Sequence, residues 1–572
     1  MSTKPDRIHP YVPEAQEMLR QGRMSRREFL RLATLLGVSA STAYALAACA
    51  PAATPTTAPQ PTSAPATTAP TVKRGGTIRV GTQVKAIDHP ARYEWIGFDA
   101  NITRFMNEYL TETGPDNVTK PYLLEKWEAS NDLKTWTLTL RQGIQWFKDG
   151  ANLEEFVGDH VKWNFEQWLA EETGSSILGL WAGFLSLANI EVKDKYTVLL
   201  HLDAPKLDVP ESLFHYPAQI LHPSFDGDIS SGKNAGTGPH TLVEYRVGER
   251  AKTQRREGYW QMGVDGQPLT YIDAIEHIDL GNDQTAAVAA LQAGQIDTIY
   301  DVRVDSFLAL RNDPKVKIYP IGSSQVRVLR FRTNLEPWGN NDVRLAVKKV
   351  QSRQKILDQA YFGEGLLGHD THASPVHPEW APIDVPEYDP EGAKALLEKA
   401  GMTDLSFNIS VGTGWTDALA YAENLKEDAK AAGINIELDA MPINDYWNVW
   451  NDDKAPVGIT PWTHRPLAVM VLPLAYIAGP DGKPVPWNET NWVDQEFSDL
   501  LLKAQGTLDV EARRAIMKDV EAIQRDRGSI GISWWQNVWD VYNPAFQNVS
   551  AHPTSYNLWR EVWYDPDQDP FK

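Results

Sequence analysis

Cysteine is almost missing from this chain: among 572 residues only Cys49 carries a thiol. That excludes a disulfide framework, a cysteine-ligated metal site and, outside position 49, a thiolate nucleophile. Positive charge is short as well, with 55 Lys and Arg against 75 Asp and Glu and a formal net charge of −20. So acidic a surface repels phosphate backbones and anionic lipid, which argues against nucleic-acid binding. Beyond residue 48 no apolar run approaches the roughly 20 residues of a membrane-crossing helix. Catalytic signatures are lacking too: there is no G-x-S-x-G elbow, no H-E-x-x-H pair and no P-loop. No enzyme activity and no cofactor are expected. Paired carboxylates such as Glu154 and Glu155 carry little weight among 75 acidic residues.

What is present begins with an address. In Ser25 to Cys49, the pair Arg26 and Arg27 precedes a weakly apolar run rich in Ala, Ser and Thr that ends in Leu46-Ala47-Ala48-Cys49. The stretch resembles a twin-arginine export signal closed by a lipobox. Small residues at 47 and 48 admit a signal peptidase, and Cys49 offers the sulfur that takes a diacylglyceryl group. Residues 1–48 hold seven Lys/Arg against four Asp/Glu, so the rest of the chain carries −23. The mature protein is expected outside the cytoplasm, in a periplasm or on the outer face of the cytoplasmic membrane, held by lipid on Cys49. Residues 50–72, rich in Pro, Thr and Ala, have no hydrophobic period and read as an extended tether.

The remaining chain alternates strand and helix periods. Strands are expected at Thr77–Thr82, Asn131–Leu140, Tyr196–Leu202, Thr241–Tyr245, Ile275–Leu280, Thr298–Tyr300 and Val326–Arg332. Helices are expected at His160–Leu169, Gln284–Ala293 and, as one long element, Val343–Phe362. Pro390–Lys399 follows with Asp389 as N-cap and Gly401 as stop. Leu405–Val411, Asp417–Ala432 and Asn435–Pro442 form a β-α-β unit of a parallel sheet. Helices Asp494–Ala504 and Val510–Asp526 precede a strand at Ile530–Trp534.

Five stretches carry a family likeness: Pro121–Gly150, Gly236–Glu249 with Tyr259-Trp260, Ala287–Asp297, Asn334 with Asp342-Val343-Arg344, and Tyr388–Gly401. In this order they resemble the extracytoplasmic solute-binding proteins of ABC transporters, family 5, whose members bind dipeptides, oligopeptides or nickel. The resemblance implies an α/β, bilobal periplasmic-binding-protein-like fold with two hinge strands and an extra domain on the first lobe. The expected division is an export signal at 1–49, a tether at 50–72, a first lobe from 73–113, 231–322 and 537–572, an inserted domain at 114–230 and a second lobe at 323–536. Val326–Arg332 and Ile530–Trp535 are the hinge candidates. Ligand is expected between the lobes, with ABC permease subunits as partners of a monomer.

Trp is the abundant residue, with 21 in the chain. Most are expected to fill cores, and a few to line a cleft, where a broad apolar face with one N–H donor suits polar organic solutes. Peptide-binding relatives place an aspartate after a Trp in the second lobe, to meet the ligand's amino group. Here the stretch reads Trp462-Thr463-His464-Arg465, with Arg465 at that place. A guanidinium there favours a carboxylate or phosphate, unless an acidic neighbour engages it. Trp462, His464, Arg465, Trp534 and Trp535 are therefore candidate ligand residues, with Tyr446 and Trp447 in the loop after the Asn435 strand and Trp95 after the first strand. His369, His372 and His377 have a spacing that could suit a metal, but loop histidines without cysteine are ordinarily solvated, so no metal site is expected. The expected ligand is a peptide or peptide-like solute. The alternatives are an oligosaccharide, an anionic opine-like compound or, more remotely, the substrate of a secreted hydrolase.

Overall fold

The computed structural model describes residues 72–92, 97–175, 177–181, 183–479, 482–485 and 487–572, with Val12, Gln16, Leu19, Arg20, Phe29 and Leu30. Arg26, Arg27, Cys49, Trp95 and most of the tether lie outside the described residues. Among the described residues no helix is long and apolar enough to cross a membrane.

One twisted sheet runs through the molecule. Its strands lie in the order His240–Arg246, Arg250–Arg255, Ala274–Asp279, Thr77–Thr82, Thr298–Ile299, Trp534–Tyr542, Lys317–Phe331, Val457–Trp462, Ser406–Gly412 and Asn435–Met441. Thr77–Thr82 is parallel to both Ala274–Asp279 and Thr298–Ile299. Ser406–Gly412 is likewise parallel to Asn435–Met441 and Val457–Trp462. Two parallel sets, each flanked by helices, make two α/β lobes. Only the antiparallel pair Lys317–Phe331 and Trp534–Tyr542 joins them within the sheet.

That pair is longer than its sequence signal. The first strand was expected from Val326 but begins at Lys317, and the second was expected to end at Trp535 but runs from Trp534 to Tyr542, leaving Ile530–Gly531 as a separate short strand. Pro320 and the Gly322-Ser323-Ser324 run hide the extension, because both read locally as turn. In the fold the register shifts between Gly322 and Val326, and the Ser323 hydroxyl donates to the Gln536 carbonyl at 2.7 Å to cover the break. Residues before the shift continue one lobe and those after it pair with Val457–Trp462 in the other.

The expected long helix Val343–Phe362 is two helices, Asn341–Lys349 and Arg353–Tyr361. The interruption is held by buried Gln351, whose amide donates to Asp370 at 3.2 Å and whose carbonyl oxygen accepts from the Tyr421 and Ser533 hydroxyls. A polar side chain so fully engaged fixes the chain in a turn that helical period cannot reveal. The expected N-cap Asp389 accepts from the Gly392 amide, and the structure adds Asp494, which accepts from Phe497, and Asp509, from Ala512, each satisfying a helix N-terminal donor.

Residues 124–201 form a second, antiparallel sheet in the order Leu124–Ala129, Thr135–Leu140, Thr197–His201, Ile190–Asp194. Helix Gly158–Leu169 packs on it, and Trp127, Trp136, Trp146, Trp168 and Trp181 are fully buried in its core. This unit also reaches the far lobe: Leu474, on helix Ala468–Tyr476, packs against Gly179.

Candidate ligand cleft

In open α/β sheets, ligands gather at the carboxyl ends of parallel strands, where loops diverge and strand and helix ends leave backbone groups free. Here the carboxyl ends of the two parallel sets face each other. Thr298–Ile299 ends at Tyr300-Asp301, Ser406–Gly412 at Trp415-Thr416-Asp417 and Val457–Trp462 at His464-Arg465. Contacts across the gap confirm the apposition: the Thr416 hydroxyl donates to Asp305 at 3.2 Å, and the charge of Asp417 acts on Asp301.

Arg465 lies in this cleft, 8% exposed. Its Nη1 donates to the Thr463 hydroxyl at 2.8 Å and to the His464 carbonyl at 3.1 Å, while Nε is buried with no partner. Burial lowers its pKa, and among the described residues no carboxylate pairs with it; the Tyr216 and Tyr556 phenols act on it instead. The acidic neighbour that could have made it a structural ion pair is thus not found. His464 is a brace: Nδ1 accepts from the Ser324 amide at 2.9 Å, so Nε2 carries the proton and donates to Asn117 at 2.9 Å, tying the second lobe to the segment from the first.

Trp462 donates its indole N–H to buried Glu489 at 2.9 Å, and its ring stands edge-on to His372 and Trp487. Glu489 is ion-paired with Arg330 at 3.0 Å and accepts from Thr460, which also meets the Tyr446 hydroxyl. Tyr446 and Trp447 sit on a helix, Ile443–Val449, and not in the expected loop. Tyr446 is buried by its Thr460 bond, whereas Trp447 is 38% exposed in an edge-to-face cluster with Trp415 and Trp450. Trp535 packs beside His372 with its indole N–H unpartnered. Trp534 points the opposite way along the strand into the second lobe's core, edge-on to Tyr421 at 5.2 Å; the period-2 alternation of a strand separates these neighbours.

The structure adds residues that no local sequence signal singles out. His215, Tyr216 and Tyr556 act electrostatically with Arg465, and Arg104, Tyr300, Asp301 and Asp540 join them through Tyr556, Tyr300 and Asp301 in turn. Tyr216, Tyr300 and Asp301 are only partly covered, yet Tyr300 and Asp301 are shifted by desolvation, as befits groups that line a cleft. They come from five separate chain segments with no shared motif, so no local signal exists.

The histidines expected to be solvated are buried, and each is separately engaged. His372 bonds the Tyr476 hydroxyl at 2.7 Å, His377 Nδ1 accepts from the Ser374 amide while Nε2 meets the Arg465 carbonyl at 3.0 Å, and His369 packs by Trp380. Another group, Glu154, His160 and His222, brings its ligand atoms within 4.8 Å of one another. Its hydrogen bonds fix the tautomers: His160 Nδ1 accepts from the Trp146 indole and the Val157 amide, and His222 Nδ1 from the Ser224 amide. Both Nε2 atoms therefore carry protons toward Glu154 and have no lone pair for a cation.

Two lobes joined by two crossing strands, with polar and aromatic groups gathered between them, define a two-lobed solute-binding protein. Residues 118–476, more than half of the chain, match the family described as bacterial extracellular solute-binding proteins, family 5 Middle, and the protein belongs to that family. It is similar to a di/tripeptide-binding protein of Pseudomonas aeruginosa, 26% identical over 477 residues that cover 76% of this chain and 84% of that one. Its fold matches DppA from Helicobacter pylori in complex with the peptide STSA, with a TM-score of 0.73 and 19% identity over 86% of this chain and 99% of that one. It matches equally AgaA from A. tumefaciens R10 in complex with agropinic acid, again with a TM-score of 0.73, 19% identity and the same coverage.

Proposed function

We propose that this solute-binding protein is the receptor of an ABC importer, exported with a twin-arginine signal, anchored by lipid on Cys49, and passing a peptide or peptide-like organic solute from its interlobe cleft to the permease. It acts as a monomer and turns over no substrate. The domain division proposed is that given by the sequence, with residues 114–230 inserted in the first lobe. Trp462, His464, Arg465, Trp535, Trp534, Trp447, Tyr446 and Trp95 were the sequence's ligand candidates; the packing supports Arg465 most, while Trp534 and Trp535 are buried in two hydrophobic clusters. The observation that carries the reading is the cleft itself, where charged groups from both lobes converge with too few partners of their own. Peptide- and di/tripeptide-binding relatives support the solute class.

A second reading, an anionic opine-like solute, is favoured by Arg465, a buried guanidinium that pairs with no carboxylate among the described residues. The deciding experiment is a thermal-shift screen with dipeptides, oligopeptides, acidic amino-acid conjugates and neutral oligosaccharides. A ligand that binds only the folded state raises the melting temperature. Peptides are expected to do so; a shift confined to saccharides would overturn the peptide-like class, and release of product from any of them would overturn the receptor.

A further inference from the structure

Two basic groups in the cleft lack the partners that burial ordinarily demands, and two acidic groups there, Asp301 with a Ser555 hydrogen bond and Asp540 with one from the His552 backbone, have no cation beside them among the described residues. Arg104, on the turn after helix Gly97–Thr103, is 6% exposed, and its Nε and one Nη are buried without a hydrogen-bond partner. Aromatic faces hold it: Tyr556 at 4.3 Å, Tyr109 at 5.5 Å and Phe214 at 5.9 Å. Arg465 reaches in from the opposite lobe with its own Nε unpartnered. Both guanidinium groups act on one phenol, Tyr556, and among the described residues neither has an ion pair with a carboxylate.

Asp301 and Asp540 present the converse arrangement. Asp301 receives one long bond, 3.4 Å from the hydroxyl of Ser555, the residue next to Tyr556. Asp540 lies on the crossing strand Trp534–Tyr542, and burial, with the charge of Asp301, pushes its pKa up to about 7. Neither has a cation within salt-bridge distance among the described residues. The arginines nearest Asp301 are spoken for, Arg327 by Asp417 at 2.8 Å and Arg303 by the Asn282 carbonyl at 3.0 Å. Tyr300, beside Asp301, feels both Asp301 and Arg104. The basic and acidic ends are thus neighbours in one cleft without neutralising each other.

Resting on the reading of the chain as a receptor for peptide-like solutes, we propose that the cleft takes a dipolar solute, its anionic group gripped between Arg104 and Arg465 and its ammonium group received by Asp301 and Asp540. The anion is then the group that both lobes hold, so it drives closure, while the ammonium is read by the first lobe and the crossing strand. A solute without the anion leaves two buried guanidinium groups uncompensated, and one without the ammonium leaves two carboxylates so.

The full chain in mild detergent would be titrated calorimetrically with dipeptides, the same dipeptides amidated at the C-terminus or acetylated at the N-terminus, free amino acids, amino-acid conjugates of carboxylic acids, and maltotriose. Dipolar members are expected to bind, and each blocked form to bind at least about 30-fold more weakly, the smallest loss ordinarily seen when a buried charge loses its partner. Arg104→Gln or Arg465→Gln would erase the preference for the free carboxylate and Asp301→Asn that for the free amine. Arg465→Lys, which keeps the charge, would retain part of the former and guards against a merely unfolded variant. Equal binding of free and amidated forms, or binding of maltotriose alone, overturns the dipolar site and leaves the receptor standing. Silence from every solute counts against both.

Discussion

Glu379 and Glu521 meet in the second lobe with no exposed surface, each accepting one backbone amide, from Val469 and Ala381, and each leaving its second oxygen buried without a partner. Two carboxylates so placed do not both ionise. Burial and the charge of Glu379 push Glu521 up to about 9. The unfolded chain releases that proton near the ordinary Glu value of about 4.3. Between these values the folded state holds the extra proton, so the contribution to stability falls as pH rises through the window and levels off above the folded pKa. Glu521→Gln keeps the acceptor for Ala381 and supplies an N–H toward Glu379 without titrating. It is expected to leave the melting temperature unchanged near pH 4.5 and to raise it at pH 8, flattening the profile. A parallel pH profile for variant and parent would show that Glu521 does not hold the proton.

At the scale of elements, the decisive feature is where the chain stops being helical. Asn341–Lys349 and Arg353–Tyr361 are parted by a turn whose buried Gln351 answers Asp370, Tyr421 and Ser533 at once. Gln351→Leu has the volume to fill the site but takes the acceptor from the Tyr421 and Ser533 hydroxyls, while Asp370 keeps Arg353 and the Ile532 amide, each lost buried partner costing about 1–3 kcal/mol. Chemical denaturation is expected to show a loss of at least about 2 kcal/mol with an unchanged slope. A gain in stability would mean that the turn is set by packing alone. The crossing strands follow the same rule, since the register shift at Gly322–Val326 depends on Ser323 and its partner 213 residues away, Gln536.

At the scale of the whole molecule, named contacts bridge the two lobes. His464 reaches Asn117, Thr416 reaches Asp305, and Leu474 fits against Gly179, where an added Cβ would stand 3.3 Å from its methyl. Closure of a two-lobed receptor is an equilibrium, and ligand affinity scales with the closed fraction. His464→Ala removes one brace without touching the guanidinium of Arg465. It is expected to enlarge the radius of gyration of the ligand-free protein in X-ray scattering and to weaken binding several-fold, while saturating ligand restores the compact form. A variant with unchanged scattering would assign closure to the remaining contacts.

The sequence by itself determined the class. Strand and helix periods, the N-cap at Asp389, and family stretches spread along the chain are local or additive signals, and they led to an α/β bilobal solute-binding protein. It also isolated Arg465, since a guanidinium after a Trp can be read without coordinates. Only the tertiary structure decided that Arg465 pairs with no carboxylate among the described residues, that Trp534 and Trp535 pack into different hydrophobic clusters, and that Arg104, Asp301, Asp540 and Tyr556 belong to one linked set of groups. Those residues are separated by up to about 450 positions in the chain. Charge pairing and burial are properties of neighbours in space, and strand alternation or helix period carries no record of which distant segments become neighbours.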